Sequence, residues 1–506
     1  MNLAQAFTVS AQKNPEKIAL FWGEEQFSYE RILEASVSMA HELQTVQRVA
    51  CQDRLGFWVK NCPEYVPGVF GVLMTGAVLV PINNFLKADE VSHIIQDAGI
   101  RVLVTDDATL GENRGRLEQM NPGLTIISLP GMSDQSRIPN PSLDFPQASE
   151  SDLAVIIYTS GTTGRPKGAM LTHANLLHNV ESCRKMLEAV SFDRFVVLLP
   201  MFHSFMLTVG IFLPFLIGGS ILLIKSVHPP KNVIEEIVRK EATILPAIPQ
   251  FFRALAAAPM PENFPLRLCI SGAAPLPHEV FREFGAKFPI PLLEGYGLSE
   301  ASPVVSMNPI KGPWKEGSIG VPIPDVEVSI QDDTGNILPA GAIGEVCVRG
   351  GNIMRGYWRQ PSETAQALRN NWLLTGDIGY RDTDGYFFIT DRKKDMLLVN
   401  GINVYPREIE EVLYQVKGIK EAAVVSQADA RKGEQPIAFV ALQDGATFNE
   451  RSTIHFLRER LADYKVPRKV TVLPALPRNA TGKILKTALR EMVKTAKPEA
   501  TTNSPT

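Results

Sequence analysis

The sequence lacks most of the features that would assign it to a specialised class of protein. Its five cysteines are scattered and no two form a CxxC pair, which argues against a disulfide framework or a zinc site and favours a reducing compartment. No basic segment followed by an apolar core stands near the start, so we find no signal peptide and expect a cytoplasmic protein. The 51 basic and 54 acidic residues nearly balance, which gives no support for nucleic-acid binding.

Long hydrophobic runs are missing as well. The most apolar stretch, 209–224, is shorter than a membrane-spanning helix and is interrupted by Pro214, Gly218 and Gly219. We interpret this stretch as a buried helix, a turn and a strand. The sequence therefore predicts no transmembrane segment, and it leaves peripheral membrane contact and the oligomeric state open.

Two common catalytic patterns are also missing. The chain has no GxSxG sequence, which argues against a serine hydrolase of the nucleophile-elbow type. It also has no GxGxxG sequence after a strand, which argues against a dinucleotide-dependent dehydrogenase.

The 506 residues, 45% of them hydrophobic, are sufficient for a large mixed core. Short apolar segments alternate with helical patterns over the first three hundred residues, and Thr172 is a plausible N-cap for a helix over 172–190. This alternation predicts parallel sheets covered by helices. The predicted strands are 102–105, 153–158, 195–199, 221–224 and 267–271.

The pattern changes near Gly317. Strand, turn and strand over 326–349 and a turn at 382–385 predict an antiparallel, β-rich subdomain. From Asp391 onward we expect a small α+β domain, with helices at 406–416, 451–464 and 481–493 and strands at 421–426 and 437–442. The predicted fold class is α/β, with a large N-terminal domain of helix-covered sheets, the β-rich subdomain and this small C-terminal domain. We expect 130–150 to be a surface loop and 494–506 to be a disordered tail.

A glycine-rich loop follows the strand predicted at 153–158. Its sequence, YTSGTTGRPKG at 158–168, combines three glycines, several hydroxyl groups and two cations before the helix predicted at Thr172. Such a loop between a strand and a helix is a natural anion site. It is not a Walker loop, because Pro166 stands where the second glycine belongs and Gly168 follows Lys167. The sequence therefore predicts a phosphate-binding loop of another type.

With this loop, the chain resembles the adenylate-forming superfamily of acyl-CoA synthetases, aryl-CoA ligases, luciferases and peptide-synthetase adenylation domains. Further segments of the superfamily follow in order: PMFHSF at 200–205, SGAAP at 271–275, EGYGLSE at 294–300, TGD at 375–377, DRKKDMLLVNGINVYPREIE at 391–410 and PRNATGK at 477–483. The seven segments occur in the order of the superfamily, and the resemblance spans nearly the whole chain. The resemblance implies a large domain at 1–391, a hinge at 392–394 and a small domain at 395–493.

The resemblance also implies a reaction in two halves, with ATP, Mg²⁺ and coenzyme A taking part. A carboxylate attacks the α-phosphate of ATP to give an acyl-adenylate and pyrophosphate, and a thiol then displaces AMP. The ATP-binding residues that it implies are Thr159, Ser160, Gly161, Thr162, Thr163, Gly164, Lys167, Gly272, Ala273, Ala274, Glu294, Gly295, Tyr296, Gly297, Ser299, Asp377, Arg392 and Lys483.

Some of these residues have more specific expected roles. Glu300 and the Thr162 hydroxyl would hold Mg²⁺, which prefers oxygen ligands. Asp377 would accept hydrogen bonds from the ribose hydroxyls. Tyr296 would stack on adenine beside the small residues 272–274, although tight backbone packing would also explain those small residues.

The resemblance places the catalytic and moving parts near the C-terminus. Lys483 would reach the α-phosphate and the carboxylate, where a cation gains most in the transition state. Lys394 would be the pivot of the hinge, and Gly401 would approach coenzyme A. His203 is either a packed core residue or part of the mouth of the acid pocket, and we include it with Lys483 and Lys394 among the catalytic candidates.

The acid is expected to be apolar. Residues 201–224 contain no Lys or Arg that could pair with a second carboxylate, and no Asp from 198 to 212 that could pair with an amino group. We therefore favour a medium- or long-chain fatty acid with coenzyme A as the acceptor. An acyl-carrier-protein synthetase and an aryl or other carboxylic acid–CoA ligase remain as alternatives.

Overall fold

The computed structural model describes residues 1–129, 131, 148–159, 166–227, 229–259, 261, 263–429, 432–478 and 482–495. These residues form a large α/β part with two sheets and a small C-terminal α+β part with a third sheet. This arrangement confirms the fold class predicted from the sequence. Most of the loop predicted at 130–150 lies outside the described residues, as do residues 496–506 of the predicted tail.

The larger sheet changes from parallel to antiparallel pairing across its width. Six neighbouring strands are parallel and mostly buried, as their continuous apolar sequences predict. The two predicted antiparallel pairs around 332–336 and 382–385 are confirmed. In spatial order the described strands are Val326–Gln331, Gly344–Gly350, Trp372–Arg381 (with Leu368–Arg369 paired to it), Phe387–Arg392, Ser318–Pro322, Val304–Met307, Leu292–Gly297, Leu268–Ser271, Ile244–Ala247, Arg194–Val197, Ser220–Leu223, Ile18–Trp22 and Glu25–Ser28.

The second sheet carries the glycine-rich loop and corrects one prediction. The strand Leu153–Thr159 is followed by a second strand, Lys167–Thr172, which pairs with it in antiparallel fashion. The loop therefore closes a hairpin and does not join a strand to a helix. Lys167 and Gly168 give this strand a weak strand pattern in the sequence. In the structure Gly168 packs closely on the neighbouring strand, since a Cβ there would lie 2.7 Å from the side chain of Ile156. In spatial order the described strands are Gly356–Tyr357, Lys167–Thr172, Leu153–Thr159, Val78–Pro81, Arg54–Trp58, Val102–Thr105 and Thr125–Ser128.

Helices cover both sheets, and the helix Tyr65–Met74 is buried along its whole length. Its sequence is apolar on every face, as expected for a helix inside a core. Gly71 allows close packing, because a Cβ there would lie 2.7 Å from the side chain of Met39. The described helices of the large part are Leu3–Lys13, Tyr29–Thr45, Tyr65–Met74, Ala88–Ala98, Asp107–Leu110, Arg114–Met120, His173–Met186, Leu213–Leu216, Pro230–Arg239, Pro249–Ala257, His278–Lys287 and Pro361–Ala367, with single 3₁₀ turns at Gly111–Asn113 and Ser299–Ala301.

The helix His173–Met186 begins as predicted. Thr172 is its N-cap, since its hydroxyl accepts a hydrogen bond from the Asn175 amide N at 3.1 Å. The helix ends before the predicted residue 190, because Glu188 takes a φ of +46° that no helix continues.

The apolar stretch 209–224 is a buried helical segment, a turn and a strand, as predicted. The π-helix Met206–Phe212 continues into the helix Leu213–Leu216, and the strand Ser220–Leu223 follows. Within the described ranges, no helix combines the length and the apolar character needed to cross a bilayer.

The C-terminal part has cores of its own on both sides of its sheet. Helix Pro406–Tyr414 begins at the predicted proline, which suits the first turn of a helix. The described strands of the C-terminal part are Leu397–Val399, Ile402–Val404, Ile419–Asp429, Gly433–Leu442 and Val470–Val472. Its described helices are Pro406–Tyr414, Glu450–Arg458 and Lys486–Thr495, with a 3₁₀ turn at Asp463–Lys465.

The last helix differs from the prediction at both ends. It begins at Lys486, because Ile484 forms an antiparallel β-bridge with Arg478 and is therefore not helical. It runs to Thr495, so Lys494 and Thr495 are helical, contrary to the expectation that the tail begins at residue 494.

Candidate active site

One large cavity opens where the parallel strands of the larger sheet end. The strands Arg194–Val197, Leu268–Ser271 and Leu292–Gly297 run in the same direction, so their carboxyl ends lie at one edge. Open α/β sheets bind ligands in the crevice at this edge. The cavity has a volume of about 1220 Å³, and Lys483 and Leu485 of the C-terminal part line it as well.

Most of the predicted site residues that the structure describes line this cavity. They are Thr159, Lys167, His203, Gly272, Ala273, Gly295, Tyr296, Gly297, Ser299, Glu300, Arg392, Lys394 and Lys483. The described residues that were predicted for the site but do not line the cavity are Ala274, Glu294, Asp377 and Gly401. The predicted loop residues that lie outside the described ranges are Ser160, Gly161, Thr162, Thr163 and Gly164.

Glu300 is held in place by two hydroxyl groups. Its Oε1 accepts hydrogen bonds from the Tyr357 hydroxyl at 2.9 Å and from Thr159 Oγ1 at 3.4 Å. Burial and the negative charge of Glu300 raise the pKa of Tyr357, so this phenol stays a donor. A carboxylate flanked by hydroxyl oxygens has the hard-ligand chemistry that suits Mg²⁺, and the predicted second ligand, Thr162, lies outside the described residues.

Lys167 lies next to this group and is already paired. Its ammonium group donates to the carboxylate of Glu363 and lies 5.4 Å from the ring centre of Tyr357. Glu363 belongs to the helix Pro361–Ala367, which follows the two-residue strand Gly356–Tyr357. A phosphate that binds to Lys167 would therefore compete with Glu363.

Asp377 is buried behind the cavity wall and holds two lining residues. Its Oδ2 accepts a hydrogen bond from the Tyr296 hydroxyl, and its Oδ1 lies 3.1 Å from Arg392 Nε. Burial and the charge of Asp377 raise the pKa of Tyr296. The predicted ribose-binding carboxylate thus also fixes the ring that was predicted to stack on adenine.

Gly272 packs closely against a neighbouring aromatic ring. A Cβ at this position would lie 3.2 Å from the ring of Phe205. Ala273 takes a φ of +65°, a left-handed conformation that costs a residue with a Cβ some free energy. Gly272 therefore packs closely against Phe205, and both Gly272 and Ala273 line the cavity.

Two predicted binding residues have other surroundings. Glu294 is buried, and its Oε1 accepts a hydrogen bond from the Leu276 amide N at 3.0 Å. Burial raises the pKa of Glu294 to about 7, while the charge of Arg407 lowers it. Gly401 is exposed in the turn between Leu397–Val399 and Ile402–Val404. Neither Glu294 nor Gly401 lines the cavity.

Three cations meet in the cavity near the boundary between the two parts of the chain. Burial, Arg392 and Lys394 lower the pKa of Lys483 to about 8, an effect that Asp377 and Asp395 oppose. Burial and Arg392 also lower the pKa of Lys394. Such mutual repulsion is relieved when an anion binds between the cations, so the site is suited to a polyphosphate.

His203 is the neutral member of this group. Burial and the charge of Lys483 lower the pKa of His203 to about 4. The Phe205 amide N donates to its Nδ1 at 3.3 Å, which leaves the proton on Nε2. His203 is half-buried and lines the cavity, and its place at the mouth of the acid pocket stays a prediction.

Part of the lining of the cavity is apolar. This part comes from the helix His173–Met186, from the π-helix Met206–Phe212 and the residues before it, and from the strands Leu268–Ser271 and Val304–Met307 and residues next to them. The apolar lining side chains from these elements are Cys183, Leu187, Phe202, Phe205, Val209, Ile270, Pro303, Val304 and Met307. The predicted apolar stretch thus contributes only part of this wall.

Two residues of the site were not singled out from the sequence. Tyr357 lies in none of the recognised segments, and only its long-range pairing with Ala169 brings it to Glu300. Ser204 stands inside PMFHSF, and its Oγ lies 3.1 Å from Ser299 Oγ. A hydroxyl next to His203 was a signal that could have identified Ser204, whereas Tyr357 had no local signal.

The segment predicted as a hinge is anchored on both sides. Lys393 Nζ lies 2.7 Å from Asp333 Oδ1 and 3.1 Å from Glu345 Oε2, both in the large part. The neighbouring Asp395 pairs with Arg490 of the last helix. Lys394 stands between these two anchors.

Comparison with known proteins places this geometry in a family. The family model described as AMP-binding enzyme matches residues 7–358, and the model described as AMP-binding enzyme C-terminal domain matches residues 408–483. A long-chain-fatty-acid–CoA ligase of Bacillus subtilis is 34% identical over 97% of this chain and 94% of its own length. A feruloyl-CoA synthase of an Amycolatopsis species is 33% identical over 95% of this chain and 96% of its own length.

Solved structures agree with these matches. ATP-bound MatB of Rhodopseudomonas palustris has a TM-score of 0.90 and 31% identity, over 98% of this chain and 99% of that one. The o-succinylbenzoate CoA synthetase of Bacillus subtilis, in complex with its acyl-adenylate intermediate, has a TM-score of 0.87 and 28% identity, over 96% of this chain and 97% of that one.

Proposed function

We propose that this chain, which belongs to the AMP-binding enzyme family, is an AMP-forming ligase that joins a fatty acid to coenzyme A. The observation that carries this proposal is the cavity itself. Its lining combines polar residues, among them Glu300, Arg392 and Lys483, with apolar residues, among them Val209, Ile270 and Met307. ATP would bind against the polar residues and the acyl chain against the apolar ones.

The first half-reaction needs no nucleophile from the enzyme. A carboxylate oxygen of the acid forms a bond to the α-phosphorus, while the bond from that phosphorus to the β-bridging oxygen breaks and pyrophosphate leaves. What the protein supplies is positioning and stabilisation of negative charge. Lys483 lines the same cavity and would neutralise the charge on the α-phosphate. Mg²⁺, held by Glu300 and Thr162, would neutralise the charge of the phosphate chain when bound.

In the second half-reaction the sulfur of coenzyme A attacks the acyl carbonyl carbon, the bond to the AMP oxygen breaks, and the thiol proton is released. Because Gly401 is exposed and outside the cavity in this structure, its contact with coenzyme A requires a movement of the small domain. We propose that the domains 1–391 and 395–493 rotate about the hinge 392–394, with Lys394 as the pivot.

The apolar part of the cavity lining favours a fatty acid. Nine side chains from neighbouring elements are apolar or, for Cys183, weakly polar, and each methylene buried against them would contribute about 0.8 kcal/mol. The similarity to a long-chain-fatty-acid–CoA ligase supports this choice. The similarity to a feruloyl-CoA synthase makes an aryl acid the second candidate.

A screen for pyrophosphate release with acids from acetate to oleate, together with benzoates and ferulate, tests the proposal. We expect the release to depend on the acid, to be largest with medium- or long-chain fatty acids, and to leave AMP as the nucleotide product. Coenzyme A and an acyl carrier protein are then compared as acceptors. ADP as the product, or a preference for ferulate over every fatty acid, would contradict the proposal at the level of the reaction or of the acid, respectively.

A further inference from the structure

The guanidinium group of Arg478 joins the two domains beside Lys483. Arg478 Nη1 donates to the carbonyl oxygen of Gly482, the residue before Lys483, and Nη2 donates to Glu421 Oε1 at 2.7 Å. From the large domain, the side-chain amide of Gln250 is assigned with its oxygen toward Arg478, and in this orientation the oxygen accepts from Nη1 at 2.7 Å and from Nη2 at 3.1 Å. This orientation of the amide gives both groups a partner.

A second contact fixes the same turn. Gly482 takes a φ of +80°, and a Cβ at this position would lie 2.7 Å from Ile248 Cδ1. Ile248 is the N-cap residue of the helix Pro249–Ala257, whose first two residues are Pro249 and Gln250. The turn that carries Lys483 therefore packs on the first residues of this helix of the large domain.

One turn further along, the same helix contacts the small domain again. Arg253 Nη1 donates to the Lys420 carbonyl oxygen at 2.9 Å, and its guanidinium lies 5.7 Å from the ring centre of Tyr414. Because residues 250 and 253 are three apart, they lie on one face of the helix. This face meets the small domain at two points.

We propose that Gln250 is a positioning residue for adenylate formation, acting through Arg478 and the Gly482 carbonyl to set the place of Lys483 in the cavity. This inference rests on the proposed function, because it assigns the contact to the first half-reaction. A hydrogen bond to a charged group contributes more than one between neutral groups, so this contact favours the domain arrangement in which Lys483 lines the cavity. The second half-reaction, which requires a different arrangement, does not use the contact.

The test compares Gln250→Leu with Gln250→Glu. The leucine variant removes the acceptor, so we expect acid-dependent pyrophosphate release to fall by roughly 10- to 100-fold in kcat, with the KM for ATP little changed. Attack of coenzyme A on synthetic acyl-adenylate should keep its wild-type rate. Gln250→Glu keeps an acceptor opposite Arg478 and should restore pyrophosphate release. Gln415→Leu, at an exposed glutamine after the helix Pro406–Tyr414, serves as the control and should leave both rates unchanged.

A readout without turnover separates this inference from the proposed function. Competitive acetylation of the wild-type protein, followed by mass spectrometry over a range of pH, reports the pKa of Lys483. We expect that pKa to rise toward its ordinary value in Gln250→Leu, because the lysine leaves its buried, cation-rich site. Unchanged labelling, an unchanged rate of pyrophosphate release, or an equal loss of both half-reactions in Gln250→Leu would overturn the inference. Absence of pyrophosphate release from the wild-type enzyme with every acid, with the labelling shift intact, would contradict the proposed function alone.

Discussion

Lys483 is a buried cation that lines the cavity. In Lys483→Ala, the developing charge on the α-phosphate would lose the cation that is proposed to neutralise it. By analogy with removal of an oxyanion-hole donor, we expect adenylate formation to fall by about 10²–10³-fold or more. Attack of coenzyme A on preformed acyl-adenylate should largely remain. Rapid-quench measurement of each half-reaction checks this, and an equal loss of both steps would count against the role.

The lowered pKa of Lys483 gives a prediction for pH dependence. The protonated lysine is the active form, and its pKa lies at about 8 instead of 10.5. We therefore expect kcat/KM for ATP to fall as the pH rises through about 8, measured by acid-dependent pyrophosphate exchange, because kcat/KM reports the pKa values of the free enzyme. Lys483→Arg should lose this alkaline limb, because arginine stays protonated there. The same limb in the arginine variant would assign it to another group.

Cys183 is a small residue in the apolar part of the cavity lining. Phenylalanine at this position would fill space that the distal carbons of an acyl chain could use. We expect Cys183→Phe to lower kcat/KM for long acids much more than for short ones, since each excluded methylene removes about 0.8 kcal/mol. Cys183→Ser keeps the size and serves as the control. A uniform decrease for all chain lengths would show that Cys183 does not limit the depth.

Single residues show where sequence reasoning reached its limit. Glu294 and Glu300 stand in one segment of seven residues, EGYGLSE, yet only Glu300 lines the cavity, whereas Glu294 accepts a hydrogen bond from Leu276. Nothing local distinguishes the two carboxylates, because their surroundings come from distant parts of the chain. Tyr357 was missed for the same reason, since its contact with Glu300 depends on strand pairing.

At the level of elements, apolar runs and caps were predictable and polar strands were not. The parallel strands and the Thr172 cap follow from local side-chain patterns. The sequence does not predict the strand Lys167–Thr172, because Lys167 and Gly168 give it a weak strand pattern. Its pairing with Leu153–Thr159 supplies the stability that its own sequence does not indicate.

The contact between two helices predicts how stability depends on pH. His173 is buried at the start of the helix His173–Met186, and its Nδ1 accepts a hydrogen bond from the Leu3 amide N at 3.2 Å. Burial lowers the pKa of His173 to about 4. Below about pH 6.5 the unfolded chain binds a proton that the folded chain does not, so stability is complete above this pH and is lost as the pH falls toward 4.

This loss amounts to about 1.4 kcal/mol per pH unit for each such histidine. We expect His173→Asn, whose Oδ1 can accept the same hydrogen bond, to unfold with a shallower dependence on pH between 6.5 and 5. Urea unfolding at several pH values measures the free energy of unfolding for both proteins. Parallel pH curves for the two proteins would show that His173 is not the group responsible.

At the scale of the whole molecule, the order of the recognised segments predicted the composition of the site, while its geometry needed the fold. Arg392, Lys394 and Lys483 are up to 91 residues apart in the sequence and lie around one cavity. Burial and the neighbouring cations lower the pKa values of Lys394 and Lys483, so these cations lie close together before any anion binds. These three cations come together only because the small domain packs on the large one.

The hinge gives the test at this scale. Lys393 is tied to the large domain and Asp395 to the last helix, so rotation would take place mainly at Lys394. In Lys394→Pro the ring fixes φ near −65° and restricts the preceding residue as well. We expect adenylate formation to continue near the wild-type rate, while thioester formation stalls and acyl-adenylate accumulates in single-turnover experiments. Lys394→Ala removes the charge but keeps the backbone free, and it should form thioester. Wild-type thioester formation in Lys394→Pro would move the pivot elsewhere.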